Sequence, residues 1–483
     1  MKPIIKFDMP LLAIDTLYYA VGLILANILS FAIFPILARG LSINDFGVFD
    51  LLSSFSILIS IIFAFGIDSA VGRFFYEYNE TNIRKSLVTE SFIIQLSIII
   101  IFSFSFIFLA EYFISFISTD SRILLLFKYT VIQAAFQAIV NFSLSLLKWT
   151  LDKWMFILLA IASSGISLFF IVISIFVFNT QLIDLVKYIV FGKVITSLLG
   201  IYLVRKWFII SNLSFNYYSK LLRYAFPIGV ICIIEVVIPT FERQTILSII
   251  NSEQLGIYAA AAKFVSILSV FIQAFQTAWG PFSLSIRKQD NVHETYSLSS
   301  KVFVFVLCMG VLLITFIGKF ALICLISDRY TDSYVLIFPI AMSIAIQSLG
   351  LIFGMGINIS MRPYYQLISY SIFVFASFFL IGLLTKNFGI IGTAYAVLIA
   401  SFFRILVISI LSHYSYPIRW PFLSIIAFFC LTFITGYFFS ICQTNFGIYI
   451  NSTFIFTSLF ILGFCFWYFI LTAKERSHFQ NLF

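Results

Sequence analysis

The sequence predicts an all-α integral membrane protein of fourteen transmembrane helices: two six-helix lobes in parallel pseudo-repeat, then a C-terminal helix pair. Three observations predict it. Hydrophobic residues make up 62% of the 483 positions and charged residues only 10%, a balance that no water-soluble core of this size buries. Apolar windows of about twenty residues follow one another along the chain, each long enough as a helix to cross roughly 30 Å of hydrocarbon. Finally, a polar reversal between two apolar helices occurs twice. Residues 34–74 carry Leu41, Ser42, Asp45, Gly47 and Phe49, and 209 positions later LSIINSEQLGIYAAA repeats the design, with Gln254, Gly256 and Tyr258 at the places of Asp45, Gly47 and Phe49. A hairpin repeated in one orientation is the mark of a duplicated lobe.

In order, the windows place helices near 15–38, 46–68, 87–110, 123–147, 155–178, 183–204, 221–249, 255–285, 297–325, 330–358, 364–385, 389–412, 420–440 and 451–472. The alternation a barrel strand would need is missing. Before the first window stand Lys2, Lys6 and Asp8, and no short apolar core with a cleavage site is visible, so that helix is expected to stay in the membrane. The 209-residue shift carries the first, third, fifth and sixth helices onto later ones without a gap and sets Lys153 on Arg362. Lobes at 1–212 and 213–412, with 413–483 holding the last two helices and a tail, are the simplest division.

Lys and Arg set the orientation. With the N-terminus inside, eighteen lie in inner segments and six, among them Arg39, Arg122 and Lys319, in outer ones. Both termini are therefore expected in the cytoplasm. The net charge of +9 is then accounted for by loops facing anionic lipid, with no nucleic-acid partner. The six cysteines show no CxxC spacing and the three histidines are scattered, so disulfides, metal and cofactors are not expected.

A charge inside a span is costly unless it faces protein, water or a partner. The set is Asp15, Asp68, Glu90, Lys128, Lys193, Glu235, Glu242, Arg243, Lys263 and Arg404. The fourth helix carries Gln133, Gln137, Asn141 and Ser145 at helical spacing, and the tenth carries Ser343, Gln347, Gly350, Gly354 and Asn358. Two matched stripes fit a hydrated or substrate-lined surface in each lobe; helix–helix hydrogen bonding and close packing are the plainer reading of either one alone. Lys263 lies in line with Ser266, Gln273 and Thr277. Lys193 and Arg404 stand 211 positions apart, close to the repeat shift, so each lobe offers one cation at a similar depth. Lys128, near the outer end, is expected to snorkel. Glu235 and Glu242 share a face around Pro239, which is expected to bend the span. These carboxylates, with Asp15 and Asp68, either take a coupling cation or neutralise Lys263 or Arg404. Adjacent Glu242 and Arg243 face different directions and pair poorly. Motifs for nucleophilic catalysis, nucleotide binding or metal hydrolysis are not visible, so the chain is not expected to be an enzyme.

ARGLSINDFGVFDLL followed by FGIDSAVGRFFYE, and FERQTILSIINSEQLGIYAAAAKF opening the second half, resemble the bacterial polysaccharide flippases of O-antigen type. Those belong to the multidrug/oligosaccharidyl-lipid/polysaccharide exporter superfamily. Members often carry Asp-Arg where this chain has Glu242-Arg243. The resemblance implies translocation of undecaprenyl-pyrophosphate-linked oligosaccharide across the bacterial cytoplasmic (inner) membrane for O-antigen or capsule assembly. It implies alternating access of two lobes around a cationic cavity, with Lys193, Lys263, Arg404 and Arg243 toward the pyrophosphate. Gln133, Gln137, Asn141, Gln273, Gln347 and Asn358 would replace sugar hydration. Membrane lipids, a polysaccharide polymerase and a chain-length regulator are the partners it implies. The alternatives are a cation-coupled drug antiporter of the same superfamily, against which the buried basic residues argue, and a membrane polysaccharide polymerase, which would need a long outer loop bearing catalytic residues.

Overall fold

The computed structural model describes residues 9–78, 80–115, 117, 120–178, 181–209, 217–286, 292–360, 362, 364–442, 448–471 and 476. Among these residues all regular structure is helical, and every window expected from hydropathy holds a helix. Helices run over Met9–Gly40, Ile43–Ala64, Thr81–Phe108, Ser121–Trp149, Lys153–Val177, Leu182–Val204 and Tyr218–Ile249. Ser252–Ser285, Val292–Leu325, the interrupted stretch Asp328–Ile359, Tyr364–Ser415, Phe422–Cys442 and Ile448–Cys465 complete them. Tyr364–Ser415 is two helices run together across Gly389, whose φ of 62° departs from helical backbone, so among the described residues a helix stands at each of the fourteen expected places, ten of the continuous helices being long and apolar enough to cross a membrane.

The repeat is visible in where helices begin and end. Met9–Gly40 and Tyr218–Ile249 stand 209 residues apart at both ends, and Ile43 and Ser252 open the next pair at the same spacing. Packing divides the chain one helix later than the boundary expected at 212/213. One compact unit ends at Ser252 and the other begins at Glu253. The sequence division concerns duplication and the compact units concern contact, and helix Tyr218–Ile249 is where the two differ.

That helix is fastened to the first hairpin along its whole length. At one end Ser252 and Asn44 share a hydrogen bond of 3.1 Å between side chains. Further along, Arg243 bonds Asp50 and Thr240 donates to the Ser54 carbonyl at 3.3 Å. Past the middle, the chain turns at Phe65 and Gly66, both left-handed. A side chain on Gly66 would come within 2.6 Å of the Ala225 carbonyl, and one on Gly229 within 2.8 Å of the Phe65 carbonyl, so two backbones touch where neither residue has a Cβ. At the far end Lys220 pairs with Glu77 at 2.7 Å. Pro227 and Pro239 both lie within the helix, which continues through them.

The apolar core of the first unit gathers Ile67, Phe75, Val88, Phe142, Leu159 and Leu221 from five helical segments. In the second unit the thirteenth helix, Phe422–Cys442, packs on Val292–Leu325 and Tyr334–Ser348. Phe316 meets Phe439 edge-on at 4.5 Å, and Gly436 leaves room for the Phe338 ring.

Candidate functional site

In the first unit the polar stripe of helix Ser121–Trp149 holds two hydrogen-bonded pairs. Gln137 Nε2 donates to Asn141 Oδ1 at 2.8 Å, one turn apart, and Ser145 donates to Asp68 at 3.3 Å. The stripe thereby meets a carboxylate from the short helix Ile67–Phe75, and Gln133 stands half-buried one turn before Gln137. Lys193, half-buried on helix Leu182–Val204, reaches the Ser163 hydroxyl at 3.4 Å. Asp15 lies outside the residues whose side chains are described.

Arg243 has a different setting from the expected one. Its Nε donates to Asp50 Oδ2 at 2.5 Å and its Nη1 to the Pro239 carbonyl at 2.8 Å. With the two side chains 12% and 2% exposed, this is a buried ion pair joining helix Ile43–Ala64 to helix Tyr218–Ile249. Glu242, the next residue back, is buried, whereas Glu235 is exposed. Asp50 was not among the residues singled out, because it sits so near the start of its helix that it reads as rim. Its one sequence signal is an acid about two turns into an apolar helix.

Glu90, fully buried, accepts from Ser86 at 3.1 Å and from the backbone N–H of Tyr217 at 3.3 Å, while Thr89 accepts from the N–H of Ile209 at 3.0 Å. These bonds anchor both sides of the connection into helix Tyr218–Ile249 and satisfy backbone donors that burial would otherwise leave unpaired.

In the second unit the tenth helix is interrupted at Leu349 and Gly354, both still in right-handed helical backbone. Bonds of the i to i+3 kind, Leu349 to Ile346, Ile352 to Leu349 and Ile357 to Gly354, stand beside i to i+4 bonds from Phe353 to Leu349 and Gly354 to Gly350. Neighbouring side chains take up the loosened backbone groups. Arg404 Nη1 donates to the Gln347 carbonyl at 3.2 Å, Trp279 Nε1 donates to the Leu351 carbonyl at 3.2 Å, and Ser412 accepts from the Gly356 N–H at 3.0 Å. Gly350, Gly354 and Gly356 each meet residues of the 390–415 half of the kinked helix in close contact. Of the tenth-helix stripe, Gly350 and Gly354 therefore serve close packing, Gln347 is half-buried, and Asn358 is exposed. Arg404 itself is 5% exposed, and its guanidinium lies 4.0 Å from the centre of the Tyr370 ring. Lys263 is half-buried on Ser252–Ser285, and Gln273 on the same helix is exposed.

Beside this interruption runs a groove of about 540 Å³ between the tenth, twelfth and thirteenth helices. Its lining is apolar, including Ile346, Phe353, Phe402, Leu406, Phe429 and Ile434. In the first unit, Asp120 pairs with Arg122 at 2.8 Å. Hydrogen bonding from Arg122 holds the Asp120 carboxyl below the usual carboxylate range.

A family model described as polysaccharide biosynthesis protein matches residues 12–287, more than half of the chain. An uncharacterized membrane protein of Haemophilus influenzae is 25% identical over 282 residues, 58% of this chain and 66% of its own length. The Lsg locus putative protein 1 of the same organism is 21% identical over 346 residues, covering 70% and 83%. Among solved structures, the inward closed conformation of the lipid II flippase MurJ superposes with a TM-score of 0.72 at 14% identity, over 93% of this chain and 98% of that one. An inward-facing multidrug resistance transporter of the MATE family superposes at 0.68 and 13% identity, over 86% and 98%.

Proposed function

The chain belongs to the polysaccharide biosynthesis protein family, and on that premise we propose that it is a flippase. Its cargo is a polyprenyl-diphosphate-linked oligosaccharide, undecaprenyl pyrophosphate being the carrier, destined for a surface polysaccharide such as O-antigen or capsule. The observation that carries the reading is the agreement of two independent likenesses. The family match concerns polysaccharide biosynthesis, and the fold of a lipid II flippase extends over 93% of the chain. The fold is also that of a drug transporter, so fold alone does not separate a flippase from an antiporter; the family match is what favours the glycan.

The physics of the cargo supports it. Sugar hydroxyls and a diphosphate cannot enter hydrocarbon without partners, whereas the lipid tail need not leave it. The carrier must offer polar groups to one end and apolar surface to the other. Gln133, Gln137 and Asn141 supply amide donors and acceptors in place of sugar hydration, and Lys193 and Lys263 supply positive charge for the diphosphate. The apolar groove lined by Phe353, Phe402 and Ile434 suits an isoprenoid chain. Arg243 and Arg404 hold helices together through Asp50 and Gln347, and we assign them to the framework of the carrier. Transport by alternating exposure of the polar stripe to the two sides of the cytoplasmic membrane completes the proposal, with a polymerase and a chain-length regulator as the enzymes that take up the product.

Deletion in the native host tests the reading. A flippase leaves synthesis of the lipid-linked glycan intact and traps it on the inner leaflet. Loss of its synthesis, or a normal level of surface polymer, would count against it.

A further inference from the structure

Two carboxylates of the first unit are left only partly answered by protein. Asp68, half-buried, follows the left-handed turn at Phe65 and Gly66, which packs against Ala225 and Gly229 of helix Tyr218–Ile249. On one side it accepts from Ser145 at 3.3 Å. On the other stands Cys232, three residues past Gly229 and so placed that the charges of both Glu235 and Asp68 act on it. Glu235 is exposed and, among the described residues, makes no hydrogen bond or ion pair. It lies near the middle of a 32-residue helix, where a charge turned to lipid is costly, so it faces water or cargo. The stripe beside Ser145 has spare capacity too. Gln137 gives one donor to the Asn141 carbonyl oxygen, and the Asn141 amino group and the Gln133 side chain have no partner among the described residues. Lys148, one turn past Ser145, lies over the Trp149 ring at 5.5 Å.

We propose that Asp68 and Glu235 are specificity-determining residues: they make the glycan-facing wall of the first unit acceptor-rich and negative, so the carrier selects neutral or amine-bearing sugars over uronic acids. This rests on the flippase reading and deepens it. An ionised carboxylate only accepts, and it can take two neighbouring sugar hydroxyls at once. A protonated amino sugar gains a charge-assisted bond there. A uronate gains neither from its own carboxylate, and it brings a like charge into a cleft where repulsion is screened less than in bulk water. Amides such as Gln133 and Asn141 take donors and acceptors alike; the two acids break that symmetry. The diphosphate is common to every such cargo, so the cations assigned to it add affinity without reading the sugars.

The probes are three polyprenyl-diphosphate trisaccharides that differ at one sugar: glucose, glucosamine or glucuronic acid. Binding to the purified full-length protein is read from the concentration dependence of its melting temperature, and movement from leaflet exchange in vesicles. Wild type is expected to bind the glucose and glucosamine compounds about tenfold or more tighter than the glucuronate, and to move them in the same order. Glu235→Gln and Asp68→Asn are expected to narrow that ratio by raising affinity for the glucuronate and lowering it for the glucosamine compound. A merely structural role would weaken all three together. Equal affinity of wild type for the three compounds, no binding of any, or a ratio that neither variant changes would overturn the proposal. Should Asp68→Asn fail to fold, Glu235→Gln, at an exposed position, decides alone. Binding in the expected order with no movement of any compound would refute the flippase reading and uphold the selectivity. Movement of all three with equal affinities would do the reverse.

Discussion

Removing one side of the Asp50–Arg243 pair should be among the most damaging single changes in the first unit. With the side chains 2% and 12% exposed, the pair behaves as a buried one. Exposed pairs contribute up to about 1 kcal/mol, whereas breaking a buried pair leaves an uncompensated charge and costs roughly 3–5 kcal/mol. Asp50→Asn takes the opposite charge from the guanidinium, and Arg243→Gln takes it from the carboxylate. The double variant removes both charges, so its cost should be close to that of one single change, giving a coupling of about 3–5 kcal/mol in the cycle. Equilibrium unfolding in mixed detergent micelles measures all four proteins. Strictly additive costs, or an Asp50→Asn variant within about 0.5 kcal/mol of wild type, a shift ordinary for surface changes, would refute the reasoning.

Other positions give sharper local readouts. Gly66→Ala should destabilise strongly, because the residue sits at φ +73° with the Ala225 carbonyl 2.6 Å from the new Cβ; thermal melting checks it, and Gly165→Ala, where nothing lies within 4 Å, is the matched control. Ser412→Ala leaves the buried Gly356 N–H without its acceptor and should cost about 1–3 kcal/mol in the same unfolding assay. Glu90→Gln weakens the acceptor of the Tyr217 N–H, so hydrogen exchange at Tyr217 should quicken while helix Ser121–Trp149 is unaffected. Asp120 has its pKa lowered in the folded protein by Arg122, so its contribution to stability is present above the unfolded value of about 3.9 and is lost as pH falls through the folded one. Asp120→Asn should flatten the fall in melting temperature over that acid window and change little at neutral pH.

The helices were legible because hydropathy and length alone decide what a bilayer accepts, and the 209-residue shift matches the first helices to later ones. Even the break near Gly389 was placed, since windows on either side ended there. What was not legible was pairing across helices. Arg243 read as a substrate cation because its acid lies 193 positions away, in a helix whose start was drawn too close to Asp50. Arg404 read the same way, because nothing in the chain marks Tyr370 or the Gln347 backbone as its surroundings. The glycines of the tenth helix matched the polar stripe of the fourth in spacing, yet they serve close contact with residues 390–415, while Gln137, Asn141, Ser145 and Asp68 do form a polar set. Periodicity reports a face; it does not report what the face meets.

The most direct measurement is leaflet exchange in vesicles. The purified protein is reconstituted with a fluorescent polyprenyl-diphosphate oligosaccharide, and the fraction reachable by a glycan-cleaving enzyme added outside is followed in time. The account predicts that, in vesicles containing the protein, the protected inner pool becomes accessible, and that a labelled phospholipid in the same vesicles does not. A protected pool that stays as large as in protein-free vesicles would contradict it.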